Sequence, residues 1–151
     1  MSLLRDFPDM PPVWALGTLA VQGIAARWAP VARLGEGWAG PLGWALALAG
    51  LALIGWSAIW FARKRTSIEP RHVPKALIVE GPYRINRNPI YSGMALVLVG
   101  AGFVMGAFSA LIVAFAFPWI VTKRFVLGEE EALRAAFGAE AEGYIARTRR
   151  W

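Results

Sequence analysis

The chain has 151 residues, of which 57% are hydrophobic and 17% are charged, and its formal net charge is +6. This composition is too apolar for an ordinary soluble domain, and the charges lie between long apolar blocks, as is typical of a membrane protein. The absence of cysteine excludes disulfides and thiolate chemistry, and the single histidine, His72, excludes a multi-histidine metal centre.

Four apolar blocks predict about four transmembrane helices, at approximately residues 13–29, 38–62, 90–105 and 111–126. The first block is weakened by Gln22 and Arg27, whereas the second is rich in leucine, alanine and glycine. Small residues in the second block predict close packing against a neighbouring helix: Gly43, Ala47, Gly50 and Gly55. The third and fourth blocks form a tight hairpin, because the connection between them is short and uncharged.

Cations are concentrated in residues 63–89 and 123–151, whereas the loop at 30–37 carries only Arg33 and Glu36. The positive-inside rule therefore predicts that residues 63–89 and both termini lie in the cytoplasm. The same rule explains the basic net charge, so we expect membrane lipids as partners and no nucleic acid.

The tail, residues 128–151, predicts a C-terminal cytoplasmic amphipathic helical segment. Its glutamates, Glu129 to Glu131, lie at the predicted helix N-terminus, where the macrodipole favours negative charge. Apolar residues recur at helical spacing, namely Leu133, Phe137, Ala141 and Tyr144. Gly138 predicts a break that divides the helix in two. The alternative interpretation is an interfacial helix that only anchors the tail.

Residues 80–93 lead from the polar segment directly into the third apolar block. Pro89 suits the first turn of a helix, and Asn88 is predicted to cap that helix through its side-chain oxygen. The free N–H groups of this helix N-terminus, beside Arg84 and Arg87, offer a site for an anionic ligand group. We interpret this stretch as the active-site edge of a membrane enzyme.

Two motifs resemble those of the isoprenylcysteine carboxyl methyltransferase family, which also contains bacterial phospholipid methyltransferase-like proteins. The first is Gly81-Pro82-Tyr83-Arg84 followed by Arg87-Asn88-Pro89-Ile90-Tyr91-Ser92-Gly93. The second is carried by Glu129-Glu130, Leu133, Phe137-Gly138, Tyr144, Arg147, Arg150 and Trp151. Thr66 and Pro70 are similar to the lead-in of bacterial members. The resemblance covers roughly residues 60–151, and the first two apolar blocks match the family only in hydropathy.

The resemblance implies S-adenosylmethionine as the methyl donor, bound at the cytoplasmic ends of the last two spans beneath the C-terminal helices. Candidate catalytic residues are Glu130, Tyr91 and Arg124. Candidate donor-binding residues are Tyr83, Arg84, Arg87, Asn88, Pro89, Tyr91, Gly93, Glu130, Tyr144 and Arg147. Methyl transfer from a sulfonium requires positioning and control of a disappearing positive charge, which aromatic rings and carboxylates suit.

The chain departs from the family pattern at several positions. Asn88 replaces a frequent histidine, and Ala141 replaces the first tail tyrosine. Phe125, with Arg124 beside it, lies where prenylcysteine enzymes carry an arginine that contacts the substrate carboxylate, and a second arginine of those enzymes falls around Ser57. We therefore expect poor turnover of a prenylcysteine acid and better turnover of neutral or zwitterionic lipid or thiol acceptors.

Together these patterns predict an all-α, single-domain integral methyltransferase of a bacterial inner membrane. Its acceptor is lipophilic or amphipathic and is methylated at the cytoplasmic face. Two alternatives remain open: an NADPH-dependent membrane reductase of the steroid-reductase type, and a non-catalytic membrane binding protein. The sequence leaves the acceptor and the oligomeric state undetermined.

Overall fold

The computed structural model describes residues 8–35, 37–66 and 75–151, and the regular elements within these ranges are all helical. The α-helices are α1 (Pro11–Trp28), α2 (Ala39–Lys64), α3 (Pro89–Val104), α4 (Phe108–Val121), α5 (Leu127–Phe137) and α6 (Ala139–Arg147). A short 3₁₀ helix, Gly81–Arg84, precedes α3, and a π-helical turn, Thr122–Val126, joins α4 to α5. The predicted all-α fold is confirmed. Pro70 and His72 lie outside the described residues.

Local sequence signals account for several helix ends. Pro11 and Pro89 occupy the first positions of α1 and α3, where a missing N–H costs no helical hydrogen bond. Arg65 ends α2 in the left-handed conformation, with φ of 51°, directly after the cations of its last turn. Gly138, with φ of 52°, separates α5 from α6, so the predicted break at this glycine is confirmed.

Helices α2 and α3 form the most extensive helix pair, and they pack through glycines at seven-residue spacing on both partners. A Cβ atom on Gly43 would lie 2.5 Å from the Gly100 carbonyl oxygen, and one on Gly50 would lie 2.5 Å from that of Gly93. Only glycine permits the two backbones to approach this closely. The predicted packing role is therefore confirmed for Gly43 and Gly50, whereas Gly55 faces open space.

Within the described residues, two helices are long and apolar enough to cross a membrane: α2, and the continuous helix from Phe108 to Phe137. Helix α3 is apolar but has only 16 residues. The outward side chains are large and apolar, as contact with lipid requires, and include Leu48 and Trp56 on α2 and Ile112, Phe115 and Trp119 on α4. The structure thus supports a membrane protein with two candidate spans, and the count of four remains a prediction.

The loops of the bundle lie at two ends. At one end, Leu34 donates its backbone N–H to Gly106 O at 2.9 Å, and Phe108 donates to Ala32 O at 2.9 Å. These bonds tie the α1–α2 loop to the α3–α4 turn. The start of α1, the end of α2, the start of α3 and the helices α5 and α6 lie at the other end. We call residues 80–93 and 127–151, which meet there, the cap.

The tail does not begin as a separate helix at Gly128. The chain stays helical for 30 residues from Phe108 to Phe137, with the π-turn between α4 and α5. One glycine costs a helix interior only about 1 kcal/mol, which is too little to end it here. Glu129 and Glu130 lie in the first turn of α5, as predicted, but this turn continues directly from the π-turn and is not a free helix end.

Gln22 links three helices inside the bundle. It is fully buried on α1, and its Nε2 donates to Leu98 O of α3 at 2.8 Å and to Ala110 O of α4 at 2.9 Å. Gln22 makes the first apolar block less hydrophobic, but in the folded bundle its side chain connects α1 to both α3 and α4.

Candidate functional site

The segment before α3 is joined to the end of the tail through backbone and side-chain contacts. The Arg87 backbone N–H donates to Arg149 O at 2.8 Å, and Asn88 Nδ2 donates to Arg150 O at 3.0 Å. Asn88 occupies the N-cap position of α3, but its side chain makes no capping bond. The prediction of a side-chain cap is wrong, because the amide of Asn88 is turned towards the tail instead.

Arg87 is the centre of this junction. Its Nη1 donates to Ile145 O at 2.7 Å and also to Thr148 O, and its Nη2 donates to Glu130 Oε1 at 2.9 Å. Its Nε is buried and has no acceptor among the described residues. One side chain from the loop thus binds α5, α6 and the strand-like end of the tail.

Glu130 is held by two guanidinium groups. Arg87 donates to it from the loop, while Arg150 donates from its Nε to Oε1 and from its Nη2 to Oε2, both at 2.8 Å. The Glu130 residue is only 4% exposed. The hydrogen bond to Glu130 raises the pKa of Arg150, so the pair stays ionised. A carboxylate whose two oxygens accept charge-assisted bonds is suited to hold the tail rather than to take up a proton.

Tyr91 contacts a different carboxylate, that of Glu129. The phenol donates to Glu129 Oε1 at 2.5 Å, and the ring is buried in the same apolar cluster as Phe125 and Val126. Glu129 is absent from the predicted site residues, although it stands beside Glu130 in the second motif. Neighbouring residues on a helix point about 100° apart, so only one of two adjacent glutamates faces the arginines. This difference in direction between Glu129 and Glu130 is the sequence signal that the two glutamates contact different partners.

Two buried tyrosines line the junction from the loop and from α6. Tyr144 donates its hydroxyl to Tyr83 O at 2.8 Å, and the Tyr83 ring packs edge-on against Phe61 with centroids 5.8 Å apart. Burial raises the pKa of both phenols far above their ordinary range, so both remain neutral. The tyrosines therefore supply aromatic surface and one hydroxyl donor, but no charge.

The cluster brings together Arg87, Asn88, Glu130 and Tyr144, with Tyr91 and Tyr83 beside it. Other predicted residues lie elsewhere or serve packing. Arg84 and Arg147 are exposed, Pro89 is buried at the start of α3, and Gly93 packs against the α2 backbone. Arg124 is exposed, and its guanidinium pairs with Asp9, which precedes α1. Arg124 therefore belongs to a second polar cluster, with Asp9 and Trp14, and not to the cluster around Glu130.

The positions that depart from the family pattern are all buried in this chain. Ala141 is fully buried on α6, Phe125 belongs to the apolar core, and Ser57 donates to Leu53 O of its own helix at 2.6 Å. Among the described residues, no group of histidines and carboxylates is arranged to hold a metal ion. The cap is a cluster of arginines, carboxylates and phenols.

Comparison with known proteins gives one match. The sequence model of the family described as phospholipid methyltransferase matches residues 38–140, which is more than half of the chain. The matched region begins next to α2, includes the first motif and all of α5, and ends at the start of α6. No curated protein sequence and no solved structure matches the chain.

Proposed function

The chain belongs to the phospholipid methyltransferase family, and from this membership we propose that it methylates a membrane lipid, with S-adenosylmethionine as donor, at the cytoplasmic face. The observation that carries the proposal is the convergence of the two motif segments. Arg87 of the first motif and Arg150 of the second bind the same carboxylate, Glu130, although 63 positions separate the arginines. We propose that the donor and the acceptor bind beside this junction, at the membrane surface.

The polar groups of the cap fit the donor. Arg87 Nε is buried without a protein acceptor, and Glu129 makes a single hydrogen bond, to Tyr91, within the described part of the chain. A free guanidinium N–H suits the carboxylate of an amino acid, and a carboxylate suits its ammonium group. S-adenosylmethionine has both groups, and when bound it supplies a methyl group on a positively charged sulfur.

We assign separate roles to the two glutamates. Glu129, positioned by Tyr91, binds the donor ammonium, while Glu130 holds the tail over the loop and keeps water out. The rings of Tyr83, Tyr91 and Tyr144 favour a sulfonium through their π faces. Removal of water strengthens each of these electrostatic contacts. The predicted catalytic role of Glu130 is thereby replaced, in our proposal, by Glu129.

Family membership favours this function over the reductase and the non-catalytic alternatives. Calorimetric titration of the detergent-purified full chain with S-adenosylhomocysteine and with NADPH separates them. We expect S-adenosylhomocysteine to bind and NADPH not to bind. We also expect Glu129→Gln to weaken S-adenosylhomocysteine binding about tenfold, because one charge-assisted contact is lost. Glu131→Gln, at an exposed neighbouring position, is the matched control. A folded wild-type protein that does not bind S-adenosylhomocysteine would overturn the proposal.

The acceptor class follows from the same site. Phe125 and Ser57 are buried and uncharged where a carboxylate acceptor would require arginines. We therefore propose a zwitterionic lipid acceptor in preference to a prenylcysteine acid. A radiolabelled-methyl assay with both acceptor types side by side tests this choice, and efficient methylation of farnesylcysteine would contradict it.

We further propose four crossings of a bacterial inner membrane, with both termini in the cytoplasm. The paired loops at the far end of the bundle support this topology, since they leave the cationic segments together at the opposite end. Single cysteines at Lys75 and Arg33, on the cysteine-free background, test it by accessibility labelling. We expect Lys75→Cys to react only from the cytoplasm and Arg33→Cys only from outside. The reverse pattern would contradict the topology.

A further inference from the structure

Three N–H donors from two helices converge on the carboxylate of Asp9. Arg124 donates from Nε to Oδ1 at 3.0 Å and approaches Oδ2 through Nη2 at 2.9 Å, and Trp14 Nε1 donates to Oδ1 at 2.9 Å. The Arg124 guanidinium also lies over the Trp14 ring, 4.8 Å from its centroid. The indole and the guanidinium thus form a small anion site, which the carboxylate of the same chain occupies.

The site is built on fixed parts of the fold. Trp14 lies in the first turns of α1, and Arg124 lies in the π-helical turn at the end of α4. Single π-turns inside α-helices are rare overall, but those that occur are often at functional sites, because they change the direction in which side chains point. The Trp14 ring packs against the apolar cluster that contains Tyr91 and Phe125. The anion site therefore adjoins the proposed donor site on the side of α1.

The exposure of the pair argues against a purely structural role. The Arg124 side chain is 45% exposed and that of Asp9 is 26% exposed. An exposed ion pair contributes only about 0–1 kcal/mol to stability, so the fold gains little from these contacts. Its geometry is nevertheless specific, since a guanidinium fork on two oxygens is the arrangement that also recognises phosphate.

We propose that Arg124 and the indole N–H of Trp14 bind the phosphate of the phospholipid acceptor, and that Asp9 occupies their site until the phosphate displaces it. This inference rests on the proposed function, because it takes the acceptor to be a phospholipid. A phosphodiester has one negative charge and two unesterified oxygens, as a carboxylate has one charge and two oxygens. It therefore accepts hydrogen bonds from the same N–H groups of Arg124 and Trp14 that now bind Asp9. The displaced Asp9 remains at the polar end of the bundle, where water solvates it.

Binding measurements on the full chain in detergent test the inference without any need for turnover. The probe is dihexanoylphosphatidylethanolamine, with dihexanoylglycerol as the phosphate-free counterpart. We expect Arg124→Gln to weaken binding of the phospholipid about tenfold, because one charge-assisted bond is lost. We expect Asp9→Asn to strengthen binding, because the competing charge is gone. Trp14→Phe keeps the ring and loses one donor, so its effect is smaller than that of Arg124→Gln.

Lys123→Gln is the matched control, because it removes one exposed cation from the neighbouring position. Equal losses of phospholipid affinity in Arg124→Gln and Lys123→Gln would indicate general charge attraction and would overturn the proposed phosphate site. Tighter or unchanged phospholipid binding in Arg124→Gln would also overturn it. Unchanged binding in Asp9→Asn would overturn the displacement. Inorganic phosphate is the remaining probe. If it binds as tightly as the phospholipid, with the same dependence on Arg124, the lipid assignment fails.

S-adenosylhomocysteine binding on the same preparations separates the two proposals. If S-adenosylhomocysteine binds and the affinity for the phospholipid is the same in the wild type and in the Arg124 and Asp9 variants, this inference fails and the proposed function stands. If the phospholipid follows the predicted order of variants while S-adenosylhomocysteine does not bind, the anion site stands and the methyl-transfer proposal fails.

Discussion

The glycine contact between α2 and α3 and the arginine junction of the cap hold neighbouring parts of the chain together by opposite means. Between the helices, the space at Gly43 and Gly50 is so small that a Cβ atom at either position would clash with a carbonyl oxygen of α3. In the cap, long side chains reach across to bind: Arg87 and Arg150 bind Glu130, and the Arg87 guanidinium also binds two carbonyls of the tail.

The difference follows from the solvent around each region. Lipid offers helices no hydrophobic gain from association, so close van der Waals packing must hold them. The cap carries exposed charged side chains such as Arg84 and Arg147, and there ionised groups stabilise a junction if each buried charge finds its partners. We therefore expect the stability of the α2–α3 contact to depend on side-chain volume, and the stability of the cap to depend on side-chain charge.

The largest expected effect is that of Glu130→Gln. The substitution keeps the shape of the side chain but leaves Arg87, whose side chain is 10% exposed, without its anion. Loss of one partner from a buried ion pair typically costs about 3–5 kcal/mol. Denaturant titration in detergent and limited proteolysis of the tail measure the loss, with Glu131→Gln as control. Equal stability of the two variants would show that the cap does not depend on this charge.

Gly50→Ala tests the helix contact by volume alone. The added methyl group would meet Gly93 O at 2.5 Å and Val97 Cγ2 at 2.9 Å, so we expect a loss of about 1–3 kcal/mol. Gly55→Ala, which faces open space on the same helix, should be neutral or slightly stabilising because alanine favours the helix. Thermal unfolding in detergent distinguishes them. A larger loss in Gly55→Ala than in Gly50→Ala would refute the packing argument.

Tyr144→Phe removes one uncharged hydrogen bond from the cap. The buried hydroxyl donates to Tyr83 O, and its loss leaves that carbonyl without this donor. We expect a loss of about 0.5–1.5 kcal/mol, which is smaller than for Glu130→Gln because no charge is exposed. Hydrogen exchange of the 81–84 segment should rise in the variant. Unchanged exchange there would mean that the hydroxyl does not hold the segment.

The smallest effect is expected from the pair of Lys64 and Glu80, at the edge of the cap. The hydrogen bond from Lys64, at 2.5 Å, lowers the pKa of Glu80 below its ordinary value of 4.5 despite some burial. The pair therefore stabilises the fold above about pH 4.5, and this contribution is lost as the pH falls through the lower pKa of the folded state. Both side chains are about one-third exposed, so Glu80→Gln should cost only about 0.2–1 kcal/mol. A cost that persists unchanged at pH 3 would contradict this origin.

The helices followed from the sequence more readily than the contacts of the cap. Apolar blocks fix where helices run, and the glycines of α2 already indicated a packed face. The family motifs indicated which residues of the cap matter. They did not indicate that Asn88 turns from its helix to the tail, or that Glu129 and Glu130 divide their roles, because both depend on the direction of a side chain. The continuity of α4 with α5 was not predicted, because the change from apolar to charged residues around Lys123 and Arg124 is also typical of a helix end.

The cross-link made by Gln22 has a consequence for biogenesis. Its acceptors, Leu98 O and Ala110 O, lie 76 and 88 residues later in the chain. At ribosomal rates of about 5–20 residues per second, they are synthesised roughly 4–18 s after α1. During that interval the amide of Gln22 is without its final partners, and a polar group without partners is costly within lipid. In the proposed topology of four crossings, the first helix therefore enters the bilayer early but gains its final hydrogen bonds only after the last two helices have been synthesised.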